Sequence, residues 1–312
     1  MSAAPDFVVR GGDYEHVVDF AGTYQGITLG YEAMPTRGIF MAMLASRPYE
    51  SSEFSMANLI TLHANGDRRL RALPVFPYRA FRHSFVYTRR DGPLTSFSEF
   101  RGKRVGIEDY SMTAAVWLRG LIEDDYGVDH REITWVMPRS QRFPPPARAN
   151  VDFVDGDLET LVEEGKVDAF LGLSARDAAR PQAERRLKTV LPDPEAAERD
   201  YFQRTGVFPI NHCVVVREDV LAVNPALPQA VCEAYASAKA SAYQRKLGTT
   251  LLPWSKDRWS RTFELFGGDP LPYGLTPLNR KVVEMLARYL HTQGLIDKMP
   301  ETDTLFVPDT VG

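Results

Sequence analysis

Between Arg101 and Leu173, short apolar runs alternate with segments of helical spacing, and this alternation constrains the fold more than any other feature. "KRVGI" reads as a strand. Ser111 then stands where it would cap a long helix beginning near Met112 and carrying Val116, Leu118, Leu121 and Ile122. "ITWVMP" is a second strand. "GDLETLVEEGKVDAFLGLSA" reads as a helix stopped at Gly165, then a strand from Asp168 to Leu173. Strand–helix–strand repetition predicts a mostly parallel sheet covered on both faces. Ser96 and Glu99 have capping-box spacing for a short helix ahead of this block. The proline-rich "RSQRFPPPARANV" (139–151) reads as a surface loop. Residues 92–207 thus look like a complete small α/β domain.

The flanks carry α/β patterning as well. "DFVVRGGD" predicts a short strand running into a glycine turn, "GITLGYEAM" a strand, and "TRGIFMAMLASRPYE" a helix with Ile39, Met43 and Leu44 on one side. "SSEFSMANLITLHANGD" reads as small polar residues opening a helix; "LRALPVFPYR" and "HSFVYTRR" read as two strands. After "VFPINHCVVVRED", a strongly β stretch, an alanine-rich helix runs from Pro225 to about Lys246, and Thr276–Pro277 starts a last one. The economical architecture is two domains: 1–91 with 208–312, and 92–207 inserted between them. The chain would cross twice, leaving a ligand cleft between the domains, because sites in open α/β sheets form beyond the carboxyl ends of strands.

Composition narrows the function. A net charge of -4 gives no reason to expect nucleic acid, and no apolar run is long enough to span a bilayer. "MSAAPDFVVRGGDYEH" lacks the basic start and apolar stretch of a signal peptide, so a cytoplasmic protein is expected. Cys213 and Cys232 lie in segments that read as buried and are expected to be free thiols. The partner class left is a small molecule, with homo-oligomerisation open.

"PVFPYRAFRHSFVYTRR" (74–90) sets Arg79, Arg82 and His83 among Phe76, Tyr78, Phe81, Phe85 and Tyr87. Two guanidinium forks suit neighbouring carboxylates. On an ideal strand the two arginines would point oppositely, so a bend is required. A solvated rim or interdomain ion pairs is the competing assignment. In "EDYSMTAA", Tyr110, Ser111, Met112 and Thr113 sit at a helix start that offers N–H groups and hydroxyls to an anion, although an ordinary N-cap needs no ligand. "SSEFSM", "LGLSA" and "FPINH" add Ser55, Ser174 and Asn211 at strand ends. His83 and His212 are the histidines expected there, whereas His16, His63, His130 and His291 read as surface or helix positions. Asp13 and Glu53 are the nearby acids. No metal-ligand spacing, phosphate loop, dinucleotide fingerprint or nucleophile elbow occurs, which leaves for a metal only a site assembled from His83, His212, Asp13 and Glu53. Cys213, in an apolar β run, is a poor nucleophile.

Five segments carry a resemblance to a known family: "RGGDYEHV", "FPYRAFRHSFVY", "FRGKRVGIEDYSMTAAVWLRGLIEDDYGV", "TGVFPINHCVVVRED" and "GGDPLPYGL". From about Val8 to about Gly294 the chain resembles the 4,5-dihydroxyphthalate decarboxylases, which are themselves similar to type 2 periplasmic binding proteins of the nitrate/taurine-receptor kind. The resemblance implies a two-domain α/β binding-protein-like fold and a non-oxidative aromatic decarboxylase that needs no organic cofactor. It implies a hydroxylated aromatic carboxylate as substrate, protonated at a ring carbon before carbon dioxide leaves. Arg79, Arg82 and the Ser111–Thr113 start would clamp carboxylates. His83 and His212 would divide acid and base roles, with Asp13 or Glu53 orienting one of them, and Tyr14, Tyr110 and Tyr273 would stack or hydrogen-bond. The alternative on this fold is a solute-binding protein for a small carboxylate, without catalysis.

Overall fold

The computed structural model describes residues 4–248, 253–308 and 310. In chain order the strands are β1 (Phe7–Gly11), β2 (Gly22–Tyr24), β3 (Ile27–Ala33), β4 (Ser51–Ser55), β5 (Leu70–Leu73), β6 (Val86–Arg89), β7 (Arg104–Gly106), β8 (Thr134–Met137), β9 (Val151–Phe153), β10 (Ala169–Leu171), β11 (Leu187–Thr189) and β12 (His212–Arg217). The helices are α1 (Thr36–Ala45), α2 (Met56–Ala64), α3 (Thr113–Tyr126), α4 (Leu158–Glu163), α5 (Ala175–Ala178), α6 (Pro194–Thr205), α7 (Glu218–Leu221), α8 (Leu227–Leu247), α9 (Ser255–Phe266) and α10 (Pro277–Thr292). Among the described residues no helix is long and apolar enough to cross a membrane.

The chain divides into two compact units. The first comprises residues 1–79, 210–283 and 300–312; the second comprises 80–209 and 284–299. The division falls between Arg79 and Ala80 rather than after residue 91. The reason is pairing: β6, expected with the first domain, is antiparallel to β10 and β11 of the second sheet.

The first unit holds a sheet of order β2-β3-β1-β4-β12-β5. β1 runs parallel to β3 and β4, whereas β12 is antiparallel to β4 and β5. Val9, Val214 and Val216 form a core with Ala230, Ala234 and Ala238 of α8. That four-residue spacing of alanines puts a smooth stripe on one helix face.

β4 is the element the sequence misread. "SSEFS", expected to open a helix, is a fully buried central strand, and the helix starts only at Met56. Its polar residues tolerate burial because they are bonded. Ser51 Oγ donates to Val215 O at 3.0 Å, and Glu53 collects three donors from two segments.

The second sheet has the order β11-β6-β10-β7-β8-β9, with β10, β7, β8 and β9 parallel as expected. The Ser96–Glu99 capping box is present, and Gly165 ends the α4 segment with a left-handed φ of 72°. Ser111 is not the cap of α3: Met112 holds that place, and Ser111 gives its hydroxyl to Asp109 Oδ1 at 2.6 Å. α9 and α6, not foreseen as helices, lie in polar stretches, although α9 carries Trp259, Phe263 and Phe266 at helical spacing.

Candidate active site

The strongest constellation lies in the first unit, on one face of β4 and β12. Opposite residues of an antiparallel pair share a face, and His212 lies opposite Ser55 while Val214 lies opposite Glu53. His212 and Glu53 are therefore diagonal neighbours, and His212 Nδ1 is hydrogen-bonded to Glu53 Oε1. Glu53 is fully buried. Its Oε1 also accepts from the Tyr14 hydroxyl at 2.7 Å, and its Oε2 accepts from the Gly12 N–H at 2.7 Å. A buried carboxylate is costly without partners, and three donors answer that cost here.

The glycine pair of "RGGD" makes room for this arrangement. A Cβ on Gly11 would stand 2.2 Å from the Tyr31 hydroxyl, and one on Gly12 would stand 2.5 Å from the Tyr14 ring. Tyr31 in turn donates to Gly12 O at 2.8 Å. Burial first, then the Glu53 charge, pushes the Tyr14 phenol far above its ordinary value, so it stays a proton donor.

Aromatic rings fix the imidazole. Tyr78 lies 5.0 Å from His212, and Phe40 meets it edge-on at 4.9 Å. Tyr14 stacks between Tyr78 and His16, at 6.0 and 5.2 Å. With Nδ1 turned to the carboxylate, Nε2 is the nitrogen available for proton exchange, on a side chain that is 15% exposed. This is a histidine–carboxylate pair of the kind that moves protons.

The remaining expected residues fall in several places. Asp13 is exposed beside Gly12 and is not the acid that meets His212. Ser55 caps α2, accepting from Asn58 N at 3.4 Å. Asn211 is buried next to His212, and its N–H donates to Tyr78 O at 3.0 Å. Arg79 is buried in the first unit. Its guanidinium donates to Asn279 Oδ1 and to Pro272 O, and burial pulls its pKa down. Tyr273 lies in the segment that Arg79 holds, under the Lys239 ammonium at 3.9 Å from its ring.

Arg82 and His83 belong to the second unit, so the Arg-x-x-Arg-His cluster is divided. The required bend exists: a 3-10 turn spans His83–Phe85. Arg82 donates to Ala80 O and lies 4.7 Å over Phe85. His83 is only 2% exposed, set between Phe97 and Tyr201. Burial, aided by the Arg204 and Arg82 charges, holds its pKa down to about 4, so it is neutral near pH 7.

Also in the second unit, Tyr110 and Ser111 precede α3, with Met112 at the cap position and Thr113 its first residue. Asp109 accepts Ser111 through Oδ1 and the Arg142 N–H through Oδ2 at 2.7 Å, which ties the proline-rich loop to this turn. Gln141 Oε1 adds an acceptor for Tyr110 N at 2.7 Å. Ser174 precedes α5 with a left-handed φ of 48°. Both cysteines are free, and burial pushes the Cys213 thiol up.

Three side chains, Glu123, Asp129 and His130, bring potential metal-ligand atoms within 4.8 Å of one another. Asp129 is engaged there by Arg131, and Glu123 by His130.

Sequence reasoning missed Tyr31 and His16. The glycine pair was the available signal for Tyr31. His16, read as a surface position, is half-buried against Tyr14.

Two α/β units of this topology define a solute-binding-protein-like fold. The periplasmic aliphatic sulphonate binding protein SsuA from Escherichia coli matches it with a TM-score of 0.58 at 14% identity, over 96% of this chain and 91% of that one. No family model matches the sequence. A 4,5-dihydroxyphthalate decarboxylase from Comamonas testosteroni is 31% identical over 287 residues, 86% of this chain and 86% of the relative. One from Pseudomonas putida is 30% identical over 176 residues, 53% of this chain and 67% of the relative. The chain belongs to the 4,5-dihydroxyphthalate decarboxylase family.

Proposed function

We propose that the protein is a carbon–carbon lyase that decarboxylates a hydroxylated aromatic carboxylate such as 4,5-dihydroxyphthalate, with His212 and Glu53 as its proton-transfer pair. The observation that carries this reading is the buried Glu53 carboxylate on His212 Nδ1, with Tyr14 and Gly12 as its other donors. Family membership supports the reaction class.

The chemistry asks for few parts. A hydroxyl para to the carboxylate pushes electron density onto the carbon bearing it. His212, protonated at both nitrogens, gives that carbon its Nε2 proton and keeps the Nδ1–H on Glu53; the substrate ring loses aromaticity, and the carbon–carboxyl bond then breaks to restore it. Carbon dioxide leaves, so each turnover consumes one proton. Glu53 holds the imidazole in one tautomer and orientation. His83, enclosed and neutral, is left out of this pair.

The test incubates the purified protein with 4,5-dihydroxyphthalate and a panel of hydroxylated benzoates and phthalates, following carbon dioxide and product. Turnover of one compound is expected. His212→Asn and Glu53→Gln should each lower kcat roughly 100- to 10,000-fold with KM little changed. Thermal stabilisation by a compound that is never turned over would instead make the protein a binder. Full turnover in both variants would overturn the pair.

A further inference from the structure

Behind Glu53 the first unit packs a row of buried and partly buried tyrosines that the proposed reaction has not used. Tyr31 leads from the Gly11–Gly12 pair: its hydroxyl and Glu53 Oε2 lie 2.2 and 3.2 Å from the same point, the Cβ position of Gly11. The two oxygens are thus within one water's reach of each other. Tyr235, on α8, meets Tyr31 at 6.4 Å between ring centroids, nearly perpendicular. Tyr273 meets Tyr235 at 6.3 Å in the same manner. The Lys239 ammonium lies 3.9 Å from the Tyr273 ring and donates to Asp269 Oδ2 at 2.5 Å. Asp269 is 36% exposed and also accepts from Tyr243 at 2.5 Å.

Two facts mark this row as more than packing. Tyr235 is fully buried with its hydroxyl directed to that of Tyr31, and the enclosed Tyr273 hydroxyl has no hydrogen-bond partner among the described residues. Buried hydroxyls are normally satisfied, and each unsatisfied one costs about 1–3 kcal/mol. A phenylalanine would fill the Tyr273 position without that cost. Placed in a row, hydroxyls that both donate and accept can pass a proton along, with ordered water between them.

We propose that Tyr273, Tyr235 and Tyr31 form a proton-uptake route from the Lys239–Asp269 pair at the surface to the Glu53–His212 pair. The inference rests on the decarboxylase reading. The balance of that reaction, carboxylate plus one proton giving the protonated ring plus carbon dioxide, requires one proton per turnover from solvent. It enters at Asp269 or Lys239. Each hydroxyl accepts one proton on oxygen and releases its own, and the last proton recharges the pair. The tyrosines touch no substrate in this scheme; they are relay residues acting through Glu53.

The experiment uses the full chain and 4,5-dihydroxyphthalate, or whichever panel compound is turned over. Tyr235→Phe and Tyr273→Phe are compared with the unaltered protein for kcat, KM and the solvent deuterium isotope effect on kcat. Expected is a fall in kcat of about tenfold or more with KM within about twofold, and a larger solvent isotope effect as proton uptake limits turnover. A merely structural role would shift thermal stability and leave the isotope effect alone. The proposal is overturned if both variants keep the kcat and isotope effect of the unaltered protein. It is equally overturned if kcat falls with an unaltered isotope effect. Failure of the decarboxylase reading looks different, since the unaltered protein then turns over none of the compounds.

Discussion

Replacing His83 by phenylalanine should make the protein less sensitive to acid, by an amount the structure sets. The His83 ring is 2% exposed between Phe97 and Tyr201, and its pKa lies at about 4 against an ordinary 6.5. Burial disfavours the charged form in the fold, whereas the unfolded chain takes up the proton freely. Between pH 6.5 and 4 the unfolded state therefore binds more protons at this site, and stability falls as pH falls through that window. Above about pH 7 the contribution is flat. One pKa unit corresponds to about 1.4 kcal/mol, so the full interval amounts to about 3 kcal/mol, and the part reached at pH 5 to about 2 kcal/mol. Urea unfolding of both proteins at pH 7.5 and pH 5 isolates the effect. The phenylalanine protein has its own baseline at pH 7.5, but its stability relative to the unaltered protein should improve by about 2 kcal/mol on going to pH 5. His16, His63 and His130, whose pKa values burial also lowers, are present in both proteins and cancel. His83→Gln serves the same purpose if phenylalanine packs poorly. An identical stability difference at the two pH values, for both variants, would refute the argument that His83 is held neutral by burial.

Two further outcomes follow from packing around the candidate site. Gly12→Ala would drive a methyl to 2.5 Å from the Tyr14 ring, moving its hydroxyl off Glu53. Stability in urea should fall by about 1–3 kcal/mol, and kcat should fall with it. Asp109→Asn weakens the acceptor shared by Ser111 and Arg142; limited proteolysis should cut the 139–149 loop faster, with a loss of about 1–3 kcal/mol.

Much of this architecture was legible in the chain. The alternation of "KRVGI", the α3 segment, "ITWVMP" and the α4–β10 segment specified a parallel sheet, because hydrophobic periodicity and glycine stops are local signals. Glu53 and His212 were both selected by residue type and by their places near strand ends. What the sequence could not decide was which groups meet. "SSEFS" carries no strand pattern, since a polar central strand persists only when distant segments satisfy it: Val215 O for Ser51, and Gly12, Tyr14 and His212 for Glu53. Only the β4–β12 register, set by pairing across more than 150 residues of chain, put the acid beside the imidazole. Arg79, Arg82 and His83 show the converse. Five positions of sequence held them together, yet tertiary packing sent Arg79 to Asn279 and Pro272 O, and buried His83 neutral among aromatic rings. Residue type and spacing determined what chemistry the chain carries. Long-range strand pairing, and the cost of burying charge without partners, decided where that chemistry is assembled.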